Sequence, residues 1–131
     1  MTLADTSAWV EYMRATGSAA AQGMRRAITA GELLTTEPVM MEVLAGARDR
    51  AHERELRNFL AGADFIPVGS LAAWERAAVI HGSCRRAGLT LRSQLDCLIA
   101  AVAIREDVAV LHADRDFDLI ARHTPLRVAA H

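Results

Sequence analysis

The sequence contains no lysine: all 15 basic residues are arginine, set against 16 acids, for a formal net charge of −1. A near-neutral chain exerts no global pull on nucleic acid, so a polyanion would have to be met locally. The absence of lysine fits an alanine-rich, GC-biased coding sequence. It also leaves guanidinium forks, which suit phosphate oxygens, as the only strong cations. Cysteine is nearly absent too. Cys84 and Cys97 make neither a disulfide framework nor a zinc-ligand spacing. Cys97 lies inside the apolar run CLIAAVAI, where a free buried thiol is expected. That run of eight residues is the longest in the chain, far short of the roughly 20 needed to span a bilayer. MTLADTSAWVEYMR has an early acid and no basic segment, which does not read as a signal peptide. A cytoplasmic location without membrane contact is the expectation. Aromatics are 5% against 52% hydrophobic residues, so the core should be aliphatic.

What is present is an alternation of short strands and helices. TLA predicts a strand ending at Asp5, and Ser7 is placed to cap a helix over AWVEYMRAT. A second helix is predicted over 18–30, stopped by Gly31, followed by a strand at LLTT. Pro38 suits the first turn of PVMMEVLAGAR. RDRAHERELRNFLAG is amphipathic, with Leu56, Phe59 and Leu60 on one side. FIPV is a strand candidate, Ser70 opens a helix closed by Gly88, and Ser93 opens SQLDCLIAAVAIRED. VAVLHA is a strand, DFDLIARH a short helix, and LRVAA a last edge strand. This alternation favours a parallel sheet covered by helices. Ligands of such sheets bind beyond the carboxyl ends of the strands, the rim on which both Asp5 and Asp114 fall.

The acids are oddly placed. Asp114, Asp116 and Asp118 alternate in LHADRDFD, where like charges repel unless something positive lies between them. Asp118 reads as first-turn helix charge, and Asp114 and Asp116 as either a solvated loop with a cap or a ligand pair. Glu42 stands in a segment with no other charge between Pro38 and Ala47, and its helical neighbours are apolar or small. Asp96 follows Ser93 as in a capping box, yet leads into a helix apolar on all sides. Asp5 suits a turn or a cap near Ser7. One cause covers them all, a hard divalent cation held by carboxylate oxygens. Histidine is sparse and His112 points away from the acids by strand parity, so zinc is disfavoured.

DTSAWVEY at Asp5, EPVMMEVLAG at Glu42, DCLIAAVAI at Asp96 and LHADRDFDLIA at Asp114 and Asp116, in this order and spacing, resemble the PIN-domain ribonucleases. More narrowly they resemble the VapC-type toxins of bacterial toxin–antitoxin pairs. The resemblance runs to about Ala121, is complete at every acidic position, and leaves RHTPLRVAAH without a signature. It implies a single PIN domain over 1–131, a three-layer α/β/α fold and a mainly parallel five-stranded sheet. It implies one or two Mg²⁺ ions, with Mn²⁺ as substitute. Carried over, Asp5, Glu42, Asp96 and Asp114 form an acidic quartet and Asp116 an accessory acid. Asp5, Asp96 and Asp114 are the implied metal ligands, the first two most directly, and Thr6 or Ser7 orients a water or a neighbouring acid. The implied activity is toxic Mg²⁺-dependent endoribonuclease cleavage of structured RNA, with tRNA favoured, leaving 5′-phosphate and 3′-hydroxyl ends. The implied partners are the RNA, a small cognate antitoxin and a second copy in a homodimer.

The acids cannot attract RNA, so arginines must. Arg85, Arg86 and Arg92 cluster near Asp96 in sequence, and Arg115 sits between two acids; all four are candidate substrate contacts. Arg50, Arg54 and Arg57 form a helical stripe that reads equally as a solvated face paired with Glu53 or Glu55. Trp9, Tyr12 and Trp74 read as core or interface residues rather than stacking platforms. Two other functions stay open. One is a catalytically silent PIN-like RNA-binding module, which the complete acid set disfavours. The other is a metal-dependent DNA nuclease or phosphatase. A covalent-aspartate phosphatase would want an acid where Ser7 stands.

Overall fold

Strands that are apolar along their whole length must be covered on both faces. In the computed structural model, which describes residues 1–129, three largely apolar strands lie side by side in one sheet. They are β1 (Thr2–Ala4), β2 (Leu33–Thr35) and β4 (Ala109–Leu111). A two-residue β3 (Asp64–Phe65) completes the sheet at one edge. The order is β3-β2-β1-β4 and every pairing is parallel, with Thr2 beside both Leu33 and Ala109. Leu3, Leu33, Val110 and Leu111 are buried on this sheet.

Among the described residues the sheet has four strands, not the expected five. The segment LRVAA contributes a single bridge, Val110 with Val128, supported by hydrogen bonds from Val110 N to Arg127 O and Ala129 N to Val110 O. Pro125, just before it, has no N–H to extend the ladder, and Ala130 lies outside the described residues. The strand expected at FIPV lies one residue earlier and is shorter. Pro67 cannot donate to the ladder, so regular pairing ends at Phe65.

Among the described residues seven helices fill the connections: α1 (Thr6–Met13), α2 (Ala19–Ala30), α3 (Glu37–Ala45), α4 (Arg50–Leu60), α5 (Leu71–Arg86), α6 (Gln94–Glu106) and α7 (Arg115–His123). Their ends follow local chemistry. Ser18, Asp49 and Ser93 accept backbone N–H bonds as N-caps, and Gly31 ends α2 in the left-handed conformation at φ 67°. The cap of α1 is Asp5 rather than Ser7: its carboxylate accepts from Ser7 N, and Ser7 is already helical. Helix α6 is buried at every residue from 96 to 103, as its all-apolar surface requires. Helices α5 and α7 pack on α6, α1 packs on α2 and α3, and α3 reaches α6. Gly23 lets α2 approach β4, because a Cβ there would stand 2.9 Å from Leu111 Cδ1. Trp9 is wholly buried in the core, whereas Trp74 is half exposed on α5. Both cysteines are free and buried, and burial pushes the Cys97 thiol up to about 12. Among the described residues, no helix is long and apolar enough to cross a membrane.

Candidate metal centre

The carboxyl rim of a parallel sheet collects whatever follows each strand. After β1 comes Asp5, the cap of α1; after β4 comes Asp114, the cap of α7, with Asp116 in the first turn. Helix α6 brings Asp96 to the same place in its own first turn, and α3 brings Glu42. Oxygen atoms of Asp96, Asp114 and Asp116 lie within 4.8 Å of one another. Asp116 is 1% exposed, Asp5 4% and Asp96 6%. Burial pushes Asp96 up to about 8, reinforced by the charges of Asp5, Asp114, Asp116 and Glu42. Burial also raises Asp5, with Asp114 adding to it, although hydrogen bonds from Ser7 and Thr6 pull it back.

Three carboxylates this close are stable only when protonated or bound to something positive. Asp96 Oδ2 and Asp116 Oδ1 are buried and accept no hydrogen bond among the described residues. Unpartnered buried oxygens are costly, about 1–3 kcal/mol each or more when charged. A hard cation preferring oxygen ligands satisfies both atoms and relieves the repulsion, so the donor set fits a divalent ion. The cluster contains Asp116, which the resemblance made accessory. Asp5 stands beside it, outside the three-carboxylate group.

Neighbouring side chains hold these acids in place. Ser7 Oγ donates to Asp5 Oδ2 at 2.6 Å and accepts from Ala113 N at 2.9 Å, tying the two strand-end turns together. Thr6 Oγ1 donates to Glu42 Oε1 at 2.9 Å. Asp114 Oδ1 accepts from Asp116 N. His112 is buried, but it does not point away from the alternating acids as strand parity led one to expect, because the turn after β4 folds back onto its ring. Its Nδ1 accepts from Asp114 N, its Nε2 lies 3.2 Å from Asp118 Oδ1, and its ring packs against Phe117. It orders the β4–α7 turn, and Asp118 serves that contact.

Of the four candidate arginines, only Arg92 touches the cluster. Its guanidinium lies 2.6 Å from Asp114 and 3.6 Å from Asp116, and its backbone N–H donates to Asp116 Oδ2. The hydrogen bond to Asp114 raises its own pKa further. Arg85 and Arg86 are exposed in the last turn of α5, and Arg115 is exposed at the start of α7. In the α4 stripe, Arg57 pairs with Glu53. The one sequence signal for Arg92 was its place four residues before Asp96; nothing linked it to Asp114.

A parallel sheet whose rim gathers carboxylates around a cation-sized space defines the class: an α/β domain with a carboxylate metal centre. Residues 2–123 match the PIN domain family. The chain is 46% identical, over 99% of its length, to a VapC ribonuclease of Mycobacterium bovis and to ribonuclease VapC11 of Mycobacterium tuberculosis, covering 98% of each. The chain belongs to the PIN-domain family and, within it, to the VapC type. Among solved structures it is similar to VapBC2 of Rickettsia felis bound to a promoter DNA fragment, with TM-score 0.77, 14% identity, and coverage of 98% of this chain and 96% of that one. It is also similar to FitAcB of Neisseria gonorrhoeae, with TM-score 0.73, 17% identity, and coverage of 99% and 97%. These likenesses establish the shared fold.

Proposed function

We propose that this chain is the toxin of a toxin–antitoxin pair and acts in the cytoplasm as a Mg²⁺-dependent endoribonuclease on structured RNA, with tRNA the favoured class. The observation that carries the reading is the cluster of Asp96, Asp114 and Asp116 with two buried, unpartnered oxygens. The ribonuclease names of relatives 46% identical along the chain support it, and the antitoxin complexes among its structural neighbours support the partner. A homodimer and a single PIN domain over 1–131 belong to the same proposal, and Mn²⁺ substitutes for Mg²⁺.

Asp96, Asp114 and Asp116 would hold the ion, with Asp5 flanking them. When bound, it supplies a water acidic enough to attack near neutral pH and screens the charge of the phosphodiester. The protein's own groups do the rest. Ser7 and Thr6 fix Asp5 and Glu42, whose remaining oxygens orient the attacking water and take its proton. Arg92 and Arg115 receive non-bridging phosphate oxygens, while Arg85 and Arg86 steer the strand from farther out. The water oxygen bonds to phosphorus as the bond to the 3′ oxygen breaks. That oxygen gains a proton, leaving 3′-hydroxyl and 5′-phosphate ends.

The test is to incubate the protein and Asp96→Asn with labelled tRNA, an rRNA fragment, single-stranded DNA and a phosphatase dye in Mg²⁺, Mn²⁺ or EDTA. RNA cut only by the native protein, only with metal and with 5′-phosphate ends, is expected. RNA bound but left intact by the native protein would make it a silent binding module. Cleaved DNA or dye with intact RNA would assign it to another hydrolase class.

A further inference from the structure

Beside the acids lies a cavity of about 260 Å³. Thr6 and Glu42 form the wall it shares with the metal centre, and their mutual hydrogen bond lies in that wall. Val10 and Leu56 give it an apolar floor, and Arg14, Arg48 and His52 line it as well. Both arginines are exposed, and neither enters a hydrogen bond or ion pair through its side chain among the described residues. His52 Nδ1 accepts from Arg48 N at 3.0 Å, so the neutral ring carries its proton on Nε2 as a donor.

This combination is selective. An apolar floor takes a flat ring, two unpaired guanidinium groups take an anion, and a carboxylate and a hydroxyl take sugar or base N–H and O–H groups. The volume lies below the roughly 300–1,000 Å³ of sites for larger small molecules, which suits one unit of a polymer. Arginines without partners, beside a site that repels anions, have no structural use here; they contribute little to the fold. An acidic peptide would satisfy the arginines and leave the apolar floor and the Glu42 wall unmatched.

We infer that this cavity holds one nucleotide of the substrate strand, flanking the phosphate at the metal centre. Its base lies on Val10 and Leu56, and its phosphate meets Arg14 and Arg48. The inference rests on the ribonuclease reading for the role of the strand, but the cavity is tested by binding, independently of cleavage.

Two variants separate charge from shape. Arg14→Gln with Arg48→Gln removes the cations. Gly46→Leu fills the cavity from its wall: Gly46 has φ −82°, and an added Cβ would meet nothing nearer than 3.4 Å. Fluorescence anisotropy with labelled hexamers of U or A is read in an Asp96→Asn background, where the strand is not cut. The double arginine variant should bind about tenfold more weakly, with a log–log salt slope shallower by about 0.7 for one phosphate on a single strand. Gly46→Leu should also bind about tenfold more weakly, with the slope unchanged. Without the Asp96 change, Mn²⁺ affinity and melting temperature should match the native protein in both. Both variants binding RNA like the parent overturns the inference even if the native protein cuts RNA. A hexaglutamate peptide that competes as well as the hexamers makes this a general anion site and overturns it too. Weakened binding by both variants supports the cavity even if native cleavage is absent, an outcome that would instead remove the ribonuclease reading.

Discussion

Arg92 holds two acids by different means: its guanidinium lies 2.6 Å from Asp114 Oδ1, and its backbone N–H donates to Asp116 Oδ2 at 2.9 Å. Substitution removes the guanidinium contacts, including a longer one of 3.6 Å to Asp116 Oδ2, and leaves the backbone bond. Arg92→Gln should therefore keep Asp116 in place while unmasking Asp114. Without metal, the variant should melt at a slightly lower temperature, because the exposed guanidinium screens the clustered charge. Its Mn²⁺ affinity should rise several-fold, because a competing cation is gone. Calorimetric titration checks this, and unchanged affinity would mean that Arg92 and the ion do not compete.

The raised Asp96 predicts a stability profile of definite sign. Its carboxyl titrates near 8 in the fold, against about 4 in an unfolded chain. The folded state thus holds a proton that the unfolded state has lost. The metal-free protein should lose stability as pH rises from about 4 through about 8. Asp96→Asn, which carries no charge at any pH, should flatten that decline and be the more stable protein at pH 9 in EDTA. Parallel melting curves for the two proteins from pH 5 to 9 would contradict the shift.

The same proton must leave when a metal binds. Apparent Mn²⁺ affinity should therefore climb with pH, by up to about tenfold per unit, and level off above about 8. Binding should release close to one proton at pH 6.5, measurable as a dependence of the binding heat on buffer ionisation enthalpy. Saturating Mg²⁺ should stabilise the native fold by mass action, by about 2.7 kcal/mol at 100 times Kd, and so raise its melting temperature. It should leave that of Asp96→Asn nearly unmoved.

Ser7 joins two turns that are far apart in sequence, through Asp5 Oδ2 and Ala113 N. Ser7→Ala removes both contacts and keeps the backbone bond from Ser7 N. The expected cost is about 1 kcal/mol, at the low end for an N–H left without its acceptor, because Ala113 is exposed. Asp5 should move further up, as it loses the hydroxyl that pulls it back. Thermal melts and the carboxyl NMR titration of Asp5 check both, and Ser7→Thr should restore much of the loss.

Local chemistry was readable residue by residue. Gly31 and Ser93 marked helix ends because a left-handed turn or a side-chain cap is settled within four residues. The apolar neighbours of Glu42 marked it as an acid on a core-facing side, and the apolar run after Asp96 pointed that acid to the rim, for a similar reason. Ser7 was misread as the cap of α1 because Asp5 and Ser7 both suit that role, and only the strand register shows which residue ends β1. The sheet edges were least legible. β3 is two exposed residues with no alternating pattern, and the last segment touches β4 through one bridge. Arg92 lies 22 residues from Asp114, so no spacing rule joins them; that contact depends on how α6 and α7 meet.

The first strand of the chain is an inner strand of the sheet, flanked by β2 and by β4. During synthesis, β1 leaves the ribosome first and waits for residues 109–111 before its second neighbour exists. Asp5 therefore cannot face Asp114 until the chain has emerged as far as α7. Any chain released early, or cut upstream of that point, lacks both the closing strand and two of the clustered acids. Translation itself thus withholds the assembled centre until Asp114 and Asp116 have followed β4 out.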